Sequence, residues 1–168
     1  YIENADFSTT NSIYSLYLAA AEFNTDTFLF NCDILFHKGV LERMLDPAQA
    51  SVVAVDAQVE RVPNEMNVCY GDDMRITAIS KSLDPARARA QSVQLAKFDA
   101  AGAAQVSAEV VRLVEQDQKD VFPTSAYGPL IDARSLFAVD TSDLAWGEID
   151  SLEDYERART CVLPALEY

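Results

Sequence analysis

Apolar and polar positions repeat along the chain with two different periods, and their order predicts an α/β protein. Residues 9–23 carry apolar side chains at helical spacing behind polar capping residues, which predicts an amphipathic helix. Residues 27–31 and 51–56 are apolar runs too short for helices and rich in strand formers, so we predict strands buried on both faces. Between them, a short apolar pattern predicts a helix that ends at Pro47.

The strand-helix-strand order predicts a mostly parallel sheet, in which ligands collect at the carboxyl ends of the strands. The middle of the chain departs from this order. Residues 67–70, a Gly-Asp-Asp turn at 71–73 and residues 74–81 predict an antiparallel hairpin, and residues 91–98 predict a further strand. The predicted sheet is therefore parallel at its core, with an antiparallel hairpin inserted into it.

The last third of the chain predicts helices that cover this sheet. Residues 103–118 have a helical apolar face, residues 123–131 are a candidate short helix, and residues 136–139 are a candidate strand. Ser151 and Asp154 form an acidic capping box for a final helix. We predict that three residues form the buried face of that helix: Leu152, Tyr155 and Ala158.

Composition and net charge limit the partners and the cellular compartment that we expect for this chain. The 168 residues suffice for one sizeable core, and the formal net charge of −14 argues against a nucleic acid or an anionic membrane as a partner. Cys32, Cys69 and Cys161 are widely spaced and form no C-x-x-C pair, which fits a reducing cytoplasm. No apolar stretch approaches the length of a membrane span. Whether the chain forms a homo-oligomer stays open.

Carboxylates stand at two positions where a sheet would present a ligand site. Asp33 follows a predicted strand, where an ionised side chain is costly unless a cation or hydrogen bonds compensate it; a cap or turn role is an equal alternative. Asp150 precedes the cap Ser151, and Glu148 lies two residues earlier as a candidate substrate-binding residue. Taken alone, Asp150 is better explained as a turn residue. If both converged, they would suit Mg²⁺, but their positions in the sequence do not establish convergence.

Five segments in this order resemble the landmarks of the nucleotidyltransferase family, and phosphocholine and phosphonate cytidylyltransferases are the most similar subgroup. The segments span residues 10–19, 28–36, 79–83, 96–98 and 148–154. The resemblance implies a Rossmann-like sheet in which Asp33 and Asp150 hold the metal, Mg²⁺, and take part in catalysis. It also implies that residues 1–168 are one partial domain whose opening strand and Gly-rich phosphate loop precede Tyr1. On that basis, we expect these residues alone not to catalyse nucleotidyl transfer.

Five more side chains are candidates for the site. Asn11 and Tyr14 match a family segment near the nucleotide; without that match they are a helix cap and a packing residue. Lys81 is a candidate catalytic cation that meets a phosphate, or a solvated lysine at a strand end. Tyr127 and Trp146 are candidate aromatic walls of an acceptor pocket, with core packing as the alternative.

The resemblance implies transfer of a nucleotidyl group from a nucleoside triphosphate, with CTP expected, to a small phosphorylated or phosphonate acceptor, with release of pyrophosphate. Two departures bear on the acceptor: Gln91 and Gln94 replace Glu and Gly, and Gly128 follows Tyr127 in place of acidic residues. These departures keep open a non-catalytic binding module, and a sugar-1-phosphate nucleotidyltransferase also stays open. A glycosyltransferase ranks last, because Asp33 is not part of an Asp-x-Asp motif.

Overall fold

The computed structural model describes residues 1–46 and 49–166 and contains two sheets. The larger sheet has six strands: β1 (Thr27–Phe30), β3 (Ser51–Asp56), β4 (Asn67–Tyr70), β5 (Ile76–Ser80), β6 (Ala90–Phe98) and β7 (Leu136–Asp140). The smaller sheet pairs two short strands: β2 (Ile34–Phe36) and β8 (Trp146–Glu148). The α-helices are α1 (Ser12–Leu18), α2 (Gly39–Met44), α3 (Ala100–Glu115), α4 (Gly128–Asp132), α5 (Leu152–Arg157) and α6 (Leu163–Leu166).

The large sheet is mixed, and strand β6 explains why. Its strand order is β5-β4-β6-β3-β7, and β1 also pairs with β6. β6 runs antiparallel to β1, β3 and β4, whereas β3 and β7 form a parallel pair. The α/β class predicted from the sequence is confirmed, although the parallel pairing is limited. Because β1, β3 and β7 all run opposite to β6, their carboxyl ends still point the same way.

Two apolar cores lie on the two faces of this sheet. Strand β3 shows the division, because Val53 and Val55 pack in one core while Val52 and Ala54 pack in the other. The first core also contains Val106 and Val110 of α3, and the second contains Val40 and Met44 of α2. β3 is buried along its whole length, as its continuous apolar run predicts.

Most predicted elements lie where the sequence places them. The helix predicted at residues 9–23 is α1 followed by a 3₁₀ turn, Ala20–Glu22, and Asn11 is its N-cap. α3 begins three residues before the predicted start, because the Asp99 side chain accepts a hydrogen bond from the Gly102 amide at 3.0 Å and caps the helix there. The hairpin predicted from residue 67 is formed by β4 and β5. Pro47, the predicted end of the second helix, lies outside the described residues.

The prediction that β1 is buried on both faces is wrong. Its residues are half-buried, and Phe30 at its end is 50% exposed. The reason is its position in the sheet: among the described residues β1 pairs with β6 along one edge only, so its apolar side chains are not enclosed as those of β3 are.

The predicted buried face of the last helix is also mostly wrong. Ala158 is buried, but Leu152 is 78% exposed and Tyr155 is 50% exposed. The predicted cap is present, since Ser151 accepts a hydrogen bond from the Asp154 amide. After α5 the helix changes pitch to a π-turn at Ala158–Val162, so that Ala158 and Val162 become the buried positions.

Within the part of the chain that the structure describes, no helix combines the length and the apolar character that a membrane crossing needs.

Candidate functional site

The small sheet brings together the carboxylates that the sequence singled out. Asp33 lies in the loop between β1 and β2, and β2 pairs with β8 so that Ile34 is opposite Glu148. The Ile149 amide also donates to the Asp33 carbonyl oxygen at 3.0 Å. As a result, one carboxylate oxygen each from Asp33, Glu148 and Asp150 lies within 4.8 Å of the others. We call these three residues the carboxylate cluster.

Two aspartates lie near strand ends, and their hydrogen bonds distinguish a candidate metal ligand from a structural residue. Asp56, at the end of β3, accepts from the amides of Gln58 and Val59 and from Trp146 Nε1, at 2.8–3.1 Å. Its charge is therefore satisfied within the protein. By contrast, Asp33 Oδ1 is buried and has no hydrogen-bond partner. A buried carboxylate oxygen without a donor fits a cation as its partner.

The donor set of the cluster suits a hard divalent cation. Its ligands are carboxylate oxygens, which Mg²⁺ and Mn²⁺ prefer, and Asp150 is exposed, so coordination positions stay open to water or phosphate oxygens. The predicted pair Asp33 and Asp150 thus lie close together, and Glu148, predicted to bind substrate, joins them as a candidate metal ligand.

The electrostatics of Glu148 reflect this crowding of negative charge. Burial raises the pKa of Glu148 above its ordinary value, and the charges of Asp150, Asp33 and Glu65 raise it further. A hydrogen bond from the Gln94 side chain opposes the rise. Without a cation, Glu148 therefore keeps its proton to a higher pH than an ordinary glutamate does.

Replacing Glu148 with Gln is expected to change how stability depends on pH. Because the pKa of Glu148 is higher in the folded chain, the stability it contributes is fully present below the ordinary pKa of 4.5 and is lost as the pH rises through the raised pKa. Glu148→Gln removes this loss. The free energy of unfolding of the variant therefore increases relative to that of the wild type as the pH rises. Urea unfolding from about pH 4 to about pH 8 without divalent cations measures the difference. A difference that does not vary with pH would contradict the assignment.

Two cavities adjoin the carboxylate cluster and share Glu148 and Asp150 as lining residues. The first has a volume of about 230 Å³ and contains polar groups from four separate segments of the chain: Ser12, Asn31, Lys81 and Gln94. The second has a volume of about 280 Å³ and an acidic wall. Its charged lining residues are Glu60, Glu65, Asp154 and Arg157, in addition to the two it shares.

The remaining predicted site residues are divided between the two cavities and the protein interior. Lys81 lines the first cavity, with its Nζ 5.2 Å from the centre of the Phe122 ring. Tyr127 lines the same cavity but is almost fully buried, and burial raises its pKa. Trp146 lines the second cavity. Tyr127 and Trp146 therefore face different cavities and do not form one aromatic wall.

The start of α1 reaches the first cavity through a different residue from those predicted. Ser12 lines the cavity. Asn11 caps the helix by accepting from the Ser12 amide at 2.7 Å, and its Nδ2 donates to the Asp120 carbonyl oxygen. The Tyr14 ring stacks on Tyr17. The geometry of Asn11 and Tyr14 thus matches the structural alternatives of a cap and a packing residue.

Sequence reasoning missed Glu65 as a component of the second cavity. The departure at Gln91 removes an acidic residue from β6, but the Gln91 amide donates to Glu65 Oε2 at 3.2 Å, and both residues line that cavity. A carboxylate is therefore supplied next to this position from the segment before β4. No pattern in the sequence around residue 65 indicates the pairing, because the two residues meet only when β4 pairs with β6.

Comparisons with known proteins support the fold. No protein-family model matches the chain. A stretch of 54 residues, 32% of this chain, is 43% identical to the CMP-5'-(3-aminopropyl)phosphonate synthase of Streptomyces rubellomurinus, and it covers 9% of that protein.

Two solved structures share the fold over most of the chain. One is the CTP:phosphocholine cytidylyltransferase of Streptococcus pneumoniae, with a TM-score of 0.71, 19% identity, and coverage of 92% of this chain and 64% of that one. The other is the inositol-1-phosphate CTP transferase of T. maritima, with a TM-score of 0.69, 20% identity, and coverage of 90% and 60%. The chain thus spans less than two thirds of their length. Its resemblance to nucleotidyltransferases is confirmed at the level of structure: the chain has the nucleotidyltransferase fold.

Proposed function

We propose that this chain provides the metal-binding half of a nucleotidyltransferase that moves a cytidylyl group from CTP to a small phosphonate or phosphate acceptor. The observation that carries the proposal is the carboxylate cluster, which joins two cavities and includes a buried oxygen of Asp33 without a partner. Two cavities that share candidate metal ligands suit a reaction in which two substrates meet.

The chemistry needs few groups from the protein. An oxygen of the acceptor forms a bond to the α-phosphorus of CTP, the bond from that phosphorus to the bridging oxygen breaks, and pyrophosphate leaves with the electron pair. The acceptor oxygen is already anionic near neutral pH, so no side chain has to remove a proton from it. A bound Mg²⁺ would neutralise the charge that develops on the phosphate oxygens. Asp33, Glu148 and Asp150 would hold that ion, and Lys81 would add a positive charge in the first cavity.

The resemblance leads us to propose that the Gly-rich loop that cradles the triphosphate lies outside residues 1–168. Transfer is therefore tested with the full-length protein, and cation binding with the 168 residues. The expected result is release of pyrophosphate that depends on CTP, Mg²⁺ and an aminoalkylphosphonate or phosphocholine. Faster turnover of sugar 1-phosphates would contradict the acceptor class. CTP binding without any turnover would favour a non-catalytic module.

The lining of the second cavity supports an acceptor that carries both a positive and a negative group. Glu60 and Glu65 offer a negative wall for an ammonium group. Arg157, whose guanidinium also lies 3.7 Å from Asp154, offers a positive charge for a phosphonate. Trp146 adds an aromatic face. The Streptomyces relative is named for a product that joins CMP to an aminopropyl phosphonate, an acceptor of this charge pattern.

Glu65→Gln is expected to weaken the binding of such an acceptor. The KM for 3-aminopropylphosphonate should rise about tenfold, as expected for the loss of one charge pair of about 1.4 kcal/mol, with little change in kcat. The KM for propylphosphonate, which lacks the ammonium group, should stay the same. Steady-state kinetics of the full-length protein with both acceptors measure the effect, and an equal rise for both would contradict the role of Glu65.

A further inference from the structure

Gln94 adopts a backbone conformation that a strand residue rarely has. It lies in the middle of β6 with a φ angle of 62°, in the left-handed region that favours glycine. The pairing between β3 and β6 is irregular here, because Val53 pairs with Ala96 and Val55 pairs with Ser92. Gln94 therefore lies in a bulge, a feature that redirects a side chain at the cost of backbone strain.

The redirected side chain faces the carboxylate cluster. Gln94 lines the first cavity together with Asn31, Glu148 and Asp150. Its Oε1 accepts a hydrogen bond from Asn31 Nδ2 at 2.7 Å. Because the amide oxygen is engaged by Asn31, the amide nitrogen is left as a donor toward the cavity that Glu148 also lines.

Two residues that line the first cavity with Gln94 belong to segments of different sheets. Asn31 follows β1 of the large sheet and is two positions before Asp33. Glu148 ends β8 of the small sheet and is two positions before Asp150. A side chain that bonds to Asn31 and lines the same cavity as Glu148 is therefore placed to constrain the distance between the two segments that carry the carboxylate cluster.

We propose that Gln94 is a positioning residue whose amide ties Asn31 to Glu148 and thereby holds Asp33, Glu148 and Asp150 at the separation a divalent cation needs. The inference rests on the proposed function, because it takes the cluster to be the metal site. It also accounts for the strain: glycine would adopt the same backbone more easily but would have no side chain to form the bridge.

Gln94→Gly distinguishes a positioning role from a role in stability alone. The substitution both relieves the backbone strain and removes the bridging side chain, and the two changes affect different measurements. The strain is relieved, so the midpoint of thermal unfolding should stay the same or rise by about 1–3 °C. The bridge is lost, so the affinity of the 168-residue chain for Mn²⁺, measured by electron paramagnetic resonance, should fall about tenfold. A residue that served only to stabilise the fold would not give opposite changes.

Two further variants complete the test. Arg134 also has a left-handed backbone, with a φ of 56°, and its side chain makes an exposed ion pair with Asp73. Arg134→Gly should leave Mn²⁺ affinity unchanged. Asn31→Ala should weaken Mn²⁺ binding as Gln94→Gly does, and the double variant should be no weaker than either single variant, because all three lack the same bridge.

The outcomes are distinct. If Gln94→Gly binds Mn²⁺ as tightly as the wild type, or if the losses in the double variant multiply, the positioning role is overturned while the metal site stands. If the wild-type chain binds no Mn²⁺, the proposed metal site is overturned, and the positioning role with it.

Discussion

Asp33→Asn is expected to abolish divalent-cation binding by the chain and to lower cation-dependent nucleotidyl transfer by the full-length protein by a factor of about 10³ or more. The substitution replaces a charged oxygen ligand with a neutral amide at the one member of the cluster with a buried oxygen lacking a partner. Titration with Mn²⁺ measures binding, and pyrophosphate release measures transfer. Transfer within tenfold of the wild type would contradict the assignment of Asp33.

Stability distinguishes this loss from simple unfolding. The negative charge of Asp33 contributes to the raised pKa of Glu148, so removing it relieves repulsion inside the cluster. Without divalent cations, Asp33→Asn should therefore be at least as stable as the wild type near neutral pH. Asp84 provides a matched control: it is exposed, it caps a 3₁₀ turn, and Asn caps such turns as well as Asp does. Asp84→Asn should change neither cation binding nor stability.

Position in the sequence predicted Asp33 but did not separate it from Asp56. Both follow apolar strands, and both could be ligands or structural residues on that basis. The difference lies in their hydrogen bonds: Asp56 accepts from the neighbouring amides of Gln58 and Val59 and from Trp146 Nε1, which is 90 positions away in sequence. Contacts between residues far apart in sequence leave no local pattern, so only the fold reveals which aspartate lacks a partner.

The strands that the sequence predicted are those with a strong local pattern. β3 is a continuous apolar run and β6 is a strand of nine residues, and both lie close to where the sequence predicts them. β2 was not predicted, and its partner β8 was anticipated only as a segment leading into the last helix. Each has three residues, and they are held by their pairing with each other. Since this pairing brings Asp33 to Glu148 and Asp150, the sequence could name the candidate ligands but not their convergence.

The bulge in β6 could not be predicted from the sequence either. Residues 91–98 are predicted as a regular strand, and nothing in their sequence indicates that Gln94 has a left-handed backbone. The resemblance to nucleotidyltransferases marked the position as a departure from glycine, one of the departures that weaken the case for a quaternary ammonium acceptor. The hydrogen bond from Asn31 to Gln94, in the cavity that Gln94 shares with Glu148, supports a different interpretation, in which the larger side chain bridges the two sheets.

Phe98→Ala is expected to cause the largest loss of stability among the substitutions considered. Phe98 ends β6, is fully buried, and its ring packs edge-to-face against Tyr127 with the ring centres 5.2 Å apart. Truncation leaves a cavity between the sheet and its covering helices, so the free energy of unfolding should fall by about 3–5 kcal/mol. The midpoint of thermal unfolding should then fall by roughly 6–20 °C.

Phe7→Ala is the control, because Phe7 is 75% exposed and its truncation should cost less than about 0.5 kcal/mol. Urea unfolding followed by circular dichroism compares the two variants with the wild type. Because β6 pairs with β1 and β3 and also carries Gln94, cation binding by Phe98→Ala should disappear in the same transition as its secondary structure. A loss below about 1 kcal/mol, or cation binding that persists after β6 unfolds, would show that the site does not depend on this strand.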